Sequence, residues 1–391
     1  MEKKKRFKMP HAYVIIFIMT VITAILANII PAGTFDRVED ASGNSVVVAD
    51  SFHHVDKIGC SIFDMFKSFQ IGFEDSAQII FFIIFAYAFV YVLLKNGTFD
   101  ALVGSVLRKV GNRIELIIPV CMILFGLLGS TMGMFEETYG LIPVFISIAM
   151  ALGYDAIVGG SVIYLGVAVG FAAATINPFT IGIAQEVAGV KMFSGLGYRI
   201  LCFVVFMGIS IWYVWRYARR IQKDPTKSYL YGEKIETLEC ASREEMMYGA
   251  LLVGISRSIA VIMENAQIID TVVYWLATML QHFRGMASAM GMLFAQNIIN
   301  FFIPSGAGQA LITMPILAPV GEMVGVSRQV SVLAYQFGDG FSNIFWPTSV
   351  FMMCGIMRLP INKWYRFVTP LFLIIFAASI VLLGAAVVIG Y

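Results

Sequence analysis

Two adjacent carboxylates, Glu136 and Glu137, interrupt a long apolar stretch that runs from Ile114 to Leu152. A carboxylate at membrane depth is costly and by default marks the path of an ion or a solute. Either acid could hold a cationic group or exchange a proton. The competing role is structural, a negative charge capping the helical arm that follows. Both sit in the run Gly129-Ser130-Thr131-Met132-Gly133-Met134-Phe135-Glu136-Glu137-Thr138. A third acid, Asp339, lies in Gly338-Asp339-Gly340-Phe341-Ser342-Asn343. It could protonate, coordinate a cation, hold a solute, or satisfy N–H groups freed by an unwound turn. Asn177, Ser342 and Asn343 offer amides and a hydroxyl at two interruptions. Ser130, Thr131, Thr138, Ser305 and Gln309 do so near two loop tips, where Gly129, Gly133, Gly306 and Gly308 let backbone approach a ligand. The candidate substrate-binding set is Ser130, Thr131, Glu136, Glu137, Thr138, Asn177, Ser305, Gly306, Gly308, Gln309, Asp339, Ser342 and Asn343. The metal candidate is Na⁺ near Asn177 and Asn343.

These residues are far apart in the chain, so helices must bring them together. Of 391 residues, 59% are hydrophobic and 13% charged, with 27 basic against 25 acidic side chains and a net charge of +2. So few charges cannot cover the apolar surface of a soluble fold of this size. A cytosolic enzyme, a disordered chain and a nucleic-acid binder are excluded, the last for want of a basic face. The apolar stretches are continuous, which excludes a membrane β-barrel. What remains is an all-α polytopic membrane protein. Cys60, Cys121, Cys202, Cys240 and Cys354 form no metal or disulfide pattern. His11, His53, His54 and His282 lie outside the apolar runs.

The basic N-terminus, Lys3 to Lys8, precedes an apolar run from Tyr13 to Ile30, read as an uncleaved first span with its basic end in the cytoplasm. Thr34–Asp75 carries eight acids and three bases and belongs outside. Ala77–Leu94 is the second span; Lys95, Arg108, Lys109 and Arg113 follow inside, with Ala101–Val110 at the interface. Ile114–Leu152 splits into arms of about 15 residues, short of the ~20 a span needs, and reads as a re-entrant hairpin. Asn177-Pro178 breaks the next span, since proline lacks a donor. Ile200–Trp215 leads to Arg216, Arg219, Arg220 and Lys223, again inside. In the second half, Tyr248–Met263 is a span. Met286–Val324 is a hairpin split at Asn300–Gln309. Val330–Met353 breaks around Gly338–Asn343 and Pro347, and Phe367–Ile389 is the last span.

The halves match at an offset of 172: Pro143 on Pro315, Gly153 on Gly325, Gly166 on Gly338, Glu137 on Gln309, Gly133 on Ser305. The charges give them opposite orientation, so the expected fold is an inverted-topology repeat with a re-entrant hairpin and a broken helix in each half. Such repeats place a binding site at the midplane. The expected division is 1–33 (tail and first span), 34–75 (extracytoplasmic), 76–222 (first repeat), 223–247 (cytoplasmic linker), 248–366 (second repeat) and 367–391 (last span).

The motifs Gly129-Ser130-Thr131 to Glu136-Glu137, Gly153-Tyr154-Asp155, Thr175-Ile176-Asn177-Pro178-Phe179, Ile303-Pro304-Ser305-Gly306 and Gly338–Asn343 resemble the C4-dicarboxylate anaerobic carrier family. They are nearest its YfcC-like branch of basic amino-acid antiporters, within the wider ion-transporter superfamily. The resemblance covers nearly all of the chain. It implies a secondary transporter of a small organic solute, with tips and breaks lining the site, an elevator-like motion and a homodimer. The expected location is the bacterial inner membrane, multi-pass. In one respect the chain departs: family members carry two more hydrophobic segments before the span that begins near Tyr248. An even number of missing spans keeps the topology and removes scaffold.

The tip acids favour a zwitterionic or cationic amino acid, with Na⁺ or H⁺ as coupling ion. Helix N-termini at the hairpins would hold its carboxylate. A C4-dicarboxylate is the alternative and would need cations to neutralise those acids. Catalysis is not expected: Gln336-Phe337-Gly338-Asp339 lacks the first glycine of the GxGD of intramembrane aspartyl proteases, and no HExxH or GxSxG lies at membrane depth. A channel is the third reading, against which broken helices in inverted halves suit alternating access. No cofactor is expected. The partners are the solute and the lipid bilayer.

Overall fold

The computed structural model describes residues 12–39, 45–77, 116–233 and 243–391, with single positions between 80 and 96. The span expected over Ala77–Leu94 falls largely outside these residues. Lys95, Ala101–Val110, Arg113 and Cys240 fall wholly outside them.

The apolar runs are realised as helices. α1 spans Ala12–Ile29. Two small antiparallel ladders follow, β1 (Gly33–Thr34) with β4 (His53–His54) and β2 (Arg37–Glu39) with β3 (Ser45–Val47). α2, Ile62–Asp75, opens with a capping box in which Ser61 and Asp64 satisfy each other's backbone N–H. The first hairpin is α3 (Ile117–Met132), a 3-10 turn (Glu136–Leu141) and α4 (Ile142–Ala151). α5 (Ala156–Ala172) is followed by irregular chain, a π-turn at Pro178–Gly182 and α6 (Ile183–Val187). α7 spans Leu196–Lys223. α8 (Arg243–Asn265) meets α9 (Ile269–Leu280) at a bend of 77°. The second hairpin is α10 (Met286–Phe302) and α11 (Gly306–Met323). α12 (Arg328–Ser342), α13 (Pro347–Met357) and α14 (Ile361–Val388) complete the chain. Among the described residues α7 and α14 are long and apolar enough to cross a membrane, and α8 with α9 makes a bent third.

Three interruptions are narrower than the sequence suggests. Gly129, Ser130 and Thr131 are still helical in α3, and the chain breaks only at residues 133–135. Asn300 is helical in α10; Gly308 and Gln309 belong to the first turn of α11. Gly338, Asp339 and Gly340 lie inside α12, not in unwound backbone, so Asp339 has no freed N–H groups to serve. The glycines there permit close packing instead of unwinding. A Cβ on Gly338 would lie 2.9 Å from Leu293 O, and one on Gly129 would lie 2.6 Å from Val167 O.

The residues paired at offset 172 adopt matching conformations. Gly153 and Gly325 both have φ of +82°, a region that glycine enters at no steric cost. Tyr154 N–H donates to Ala149 O at 2.9 Å and Val326 N–H to Gly321 O at 2.8 Å. Asp155 caps α5 by accepting from Val158 N–H, and Ser327 caps α12 by accepting from Val330 N–H. Gly166 and Gly338 rest against the backbone of α3 and α10 respectively.

α5 and α12 pack on each other at the centre, buried along nearly their whole length. The two hairpin bases lie at opposite ends of α7. Asp155 accepts from Tyr217 Oη at 2.5 Å and Ser228 Oγ at 2.7 Å, near the end of α7. Ser327 donates to Tyr391 O at 2.6 Å, and Tyr391 Oη donates to Gly195 O, just before α7 begins. A 28-residue helix is about 42 Å long, enough to cross a bilayer.

Candidate functional site

The two tips and the two breaks converge on one cavity of about 540 Å³. Gly133, Phe135, Glu136 and Glu137 face it from the first tip, and Pro304, Ser305 and Gly306 from the second. Phe171 and Phe179 flank the first break; Asn343, Thr348, Ser349 and Met352 flank the second. Asp75 and Ser76 from the end of α2, with Ser256 and Arg257 from α8, close another side.

Local chain chemistry sets this arrangement. α3 can end at the first tip because Gly133 adopts φ of +71°, and its Cα abuts the Asn177 side chain. Asn177 in turn caps the π-turn, its Oδ1 accepting from Phe179 N–H at 2.8 Å. Ser130 binds the first break to α3: its Oγ accepts from Thr175 N–H at 3.1 Å and donates to Ala173 O. At the second tip, Ser305 Oγ accepts from Gly308 N–H at 3.3 Å and starts α11. Tyr335 donates to Gly306 O at 2.6 Å, holding that tip to α12. Asn343 Nδ2 donates to Asp339 O and Ser349 Oγ donates to Asn343 Oδ1, which shapes the second break.

Of the sequence candidates, Glu136, Glu137, Ser305, Gly306 and Asn343 line the cavity. The others lie around it. Thr131 turns back to Leu127 O at 2.6 Å, and Thr138 to Phe135 O at 2.7 Å. Gln309 donates to Gln296 O and Oε1, tying α11 to α10. Ser342 donates to Asp339 O. Ser130, Asn177 and Gly308 shape the tips, as described, and Asp339 is buried behind Gly306.

Glu137 Oε2 accepts from Phe135 N–H at 2.9 Å. Neither tip acid has a cationic partner among the described residues. Among the described residues the cavity's one guanidinium is Arg257, whose Nε lies 3.3 Å from Asp75 and whose Nη2 lies 3.2 Å from Glu264. Asp339 does not pair with Arg257. The places of Arg257, Asp75, Thr348 and Ser349 in the cavity wall are not among the sequence candidates. The available signals were the polar Asp75-Ser76 pair between apolar runs and the Thr348-Ser349 pair after Pro347. α2 reaches this position by crossing α8 closely: a Cβ on Gly72 would lie 2.5 Å from Gly254 O. Among the described residues no three His, Cys, Asp or Glu side chains gather as a metal cluster. Asp155, in the Gly153-Tyr154-Asp155 motif, is a helix cap held by Tyr217 and Ser228.

The sequence matches the family described as C4-dicarboxylate anaerobic carrier over residues 9–245 and 242–388. A relative from Escherichia coli (strain K12), named "Putative basic amino acid antiporter YfcC", is 28% identical over 495 aligned positions, covering 99% of this chain and 98% of that protein. An uncharacterized protein of Haemophilus influenzae is 24% identical, covering 95% of each. The 495 aligned positions exceed the 391 residues by 104, and the two family blocks meet at residues 242–245. The Alcanivorax borkumensis YdaH transporter shares 13% identity at a TM-score of 0.48, covering 98% of this chain and 99% of that one. For Neisseria gonorrhoeae MtrF, described with a class of antimetabolite efflux pumps, the values are 16% and 0.46, with 97% and 95% covered. The family blocks take in almost the whole sequence: the chain belongs to the C4-dicarboxylate anaerobic carrier family, and it is a membrane transporter, not an enzyme.

Proposed function

We propose that the chain is a multi-pass carrier of the bacterial inner membrane that exchanges or takes up a basic or zwitterionic amino acid by alternating access. The carrying observation is the charge around the cavity: among the described residues, Glu136, Glu137 and Asp75 against Arg257. A solute ammonium or guanidinium meets the two unpaired tip acids. Its carboxylate meets the α11 N-terminus at Gly306–Ala307, where first-turn N–H groups favour an anion, with Arg257 across the cavity. The hairpin bases moored at opposite ends of α7 support reading the halves as an inverted repeat. The printed name of the Escherichia coli relative agrees with an amino-acid cargo. The earlier expectations of a homodimer and a coupling ion belong to the same proposal.

The family's description favours a second reading, a C4-dicarboxylate. One carboxylate would fit the α11 N-terminus, and the other would face Glu136 and Glu137 unless cations intervene. The test is exchange of labelled arginine or ornithine in proteoliposomes. Arginine exchange lost in Glu137→Gln, with succinate uptake unaffected, supports the amino-acid reading. Succinate uptake by the unaltered protein with no amino-acid exchange refutes it.

A further inference from the structure

Asp339 and Asn300 are both fully buried, and each has one oxygen with no partner among the described residues: Asp339 Oδ2 and Asn300 Oδ1. They belong to two groups already joined, because Asn300 Nδ2 donates to Asp339 Oδ1 at 2.8 Å. A proton on Asp339 Oδ2 directed to Asn300 Oδ1 satisfies both atoms at once and closes an acid–amide ring of two hydrogen bonds. A metal cation fits less well, because Asn300 presents N–H to the carboxylate.

Among the described residues the surroundings supply no cation for a charged Asp339. α10, α5 and the π-turn, all packed on α12, carry no Asp, Glu, Lys, Arg or His. α5 does contribute Tyr164, whose hydroxyl donates to Asn343 O. α11 carries Glu322, paired with Arg328, and α6 carries Glu186. α14 carries Lys363, paired with Glu233, and Arg366, stacked on Tyr229, with Tyr365 donating to Phe345 O. From α7, Phe206 packs on Phe337 and Phe341 of α12, while Arg199 is committed to Thr175 O. On α12 itself Tyr335 is engaged with Gly306 O. Asp339 has no ion pair among the described residues. An unpaired carboxylate so enclosed is expensive unless neutralised.

Resting on the carrier reading above, we propose that Asp339 holds the coupling proton of the transport cycle and that Asn300 shares it. The path is short. Asp339 Oδ2 lies 3.2 Å from the point where a Cβ on Gly306 would stand, and Gly306 lines the cavity. The missing side chain leaves the second tip as a thin cover over the acid. When the tip lifts, cavity water delivers a proton to Asp339 Oδ2. When the tip seats again over a bound solute, the proton is enclosed with it, to return to water after the halves reorient. Coupling then follows from geometry, since one moving segment covers both solute and acid.

The test uses the full chain in lipid nanodiscs and in proteoliposomes. Infrared difference spectra across a pH titration should show the C=O band of a protonated carboxyl. That band should vanish in Asp339→Asn and shift in frequency in Asn300→Ser, which keeps the acid and removes the ring. In proteoliposomes, labelled arginine uptake by the unaltered chain should vary up to about tenfold per pH unit in the titrating range, the limit for one linked proton. Asp339→Asn should remove that dependence. The infrared result needs no transport: if the band behaves as expected but no amino acid moves, the proton site stands and the amino-acid reading falls. A band unchanged in Asp339→Asn overturns the proposal. So does a wild type without the band but with Na⁺-dependent thermal stabilisation lost in Asp339→Asn. Should Asp339→Asn not fold, a band unmoved in Asn300→Ser overturns it equally.

Discussion

Seating of the second tip on the first break can be tested with one methyl group. A Cβ on Gly306 would lie 2.8 Å from Thr180 Cγ2, 3.2 Å from Asp339 Oδ2 and 3.4 Å from Phe171 Cζ. Carbon atoms in contact rest at about 3.5–4.0 Å, so Gly306→Ala forces the tip and the π-turn apart by roughly 1 Å. Overpacking of this kind costs about 1–3 kcal/mol. The unfolding midpoint should fall by several degrees, at a few degrees per ~1 kcal/mol. Thr180→Ser removes the obstructing methyl and alone costs on the order of 1 kcal/mol. In the double variant the new methyl occupies the vacated space. It should therefore be more stable than the sum of the single losses by about 1–2 kcal/mol, within the range seen for touching residues. Trp346, whose Nε1 donates to Asn297 O at 2.7 Å beside the second break, gives a fluorescence readout. Losses that add within about 0.5 kcal/mol would show that the residues do not touch and refute the seating.

Gly129→Ala should be costlier, at roughly 3 kcal/mol, because its Cβ meets backbone atoms, Val167 O and Phe171 N, that no side-chain change relieves; thermal unfolding measures it. Asp155→Ala removes a helix cap and leaves Tyr217 and Ser228 without their acceptor. A loss of about 2–3 kcal/mol is expected in the same assay, and a loss below about 0.5 kcal/mol would contradict the mooring of the first hairpin to α7. Asp270→Asn weakens a pairing with Arg37 at 2.8 and 3.0 Å and with Phe35 N–H at 3.1 Å. Arg37 is partly exposed, so the loss is discounted to about 1–2 kcal/mol, and faster amide exchange at Phe35 reports it. Arg257→Gln should leave stability within about 1 kcal/mol, since its ion pairs are partly exposed. It should also raise the preference for basic over neutral amino acids in competition uptake.

Much of this was legible in the sequence because glycine and proline mark constraints that hold in any context. Gly153 and Gly325 stand at positive φ, and Asn177-Pro178 starts the irregular turn. The pairing of Asp155 with Ser327 was hidden, because two different side chains perform one capping role. Gly338 and Gly340 misled for the opposite reason. A glycine in a helix can mean unwinding or close approach, and only the neighbour, α10 or α5, decides which. Arg257 and Asp75 are 182 residues apart, and no local pattern encodes their shared place in the wall that faces the tip acids. Gln309 was read as a ligand, although Gln296, one helix earlier, absorbs its amide.

The small outer strands have a consequence of their own. β1 is bonded to Gln267 at the α8–α9 bend, Phe52 stacks on Tyr274 at 4.1 Å, and β3 rests on α11 of the second hairpin. Any travel of that hairpin must drag or shear this patch. An antibody fragment raised against residues 45–54 would therefore act as a brake on turnover. A fluorophore at Ser51 would report each stroke without touching the buried machinery.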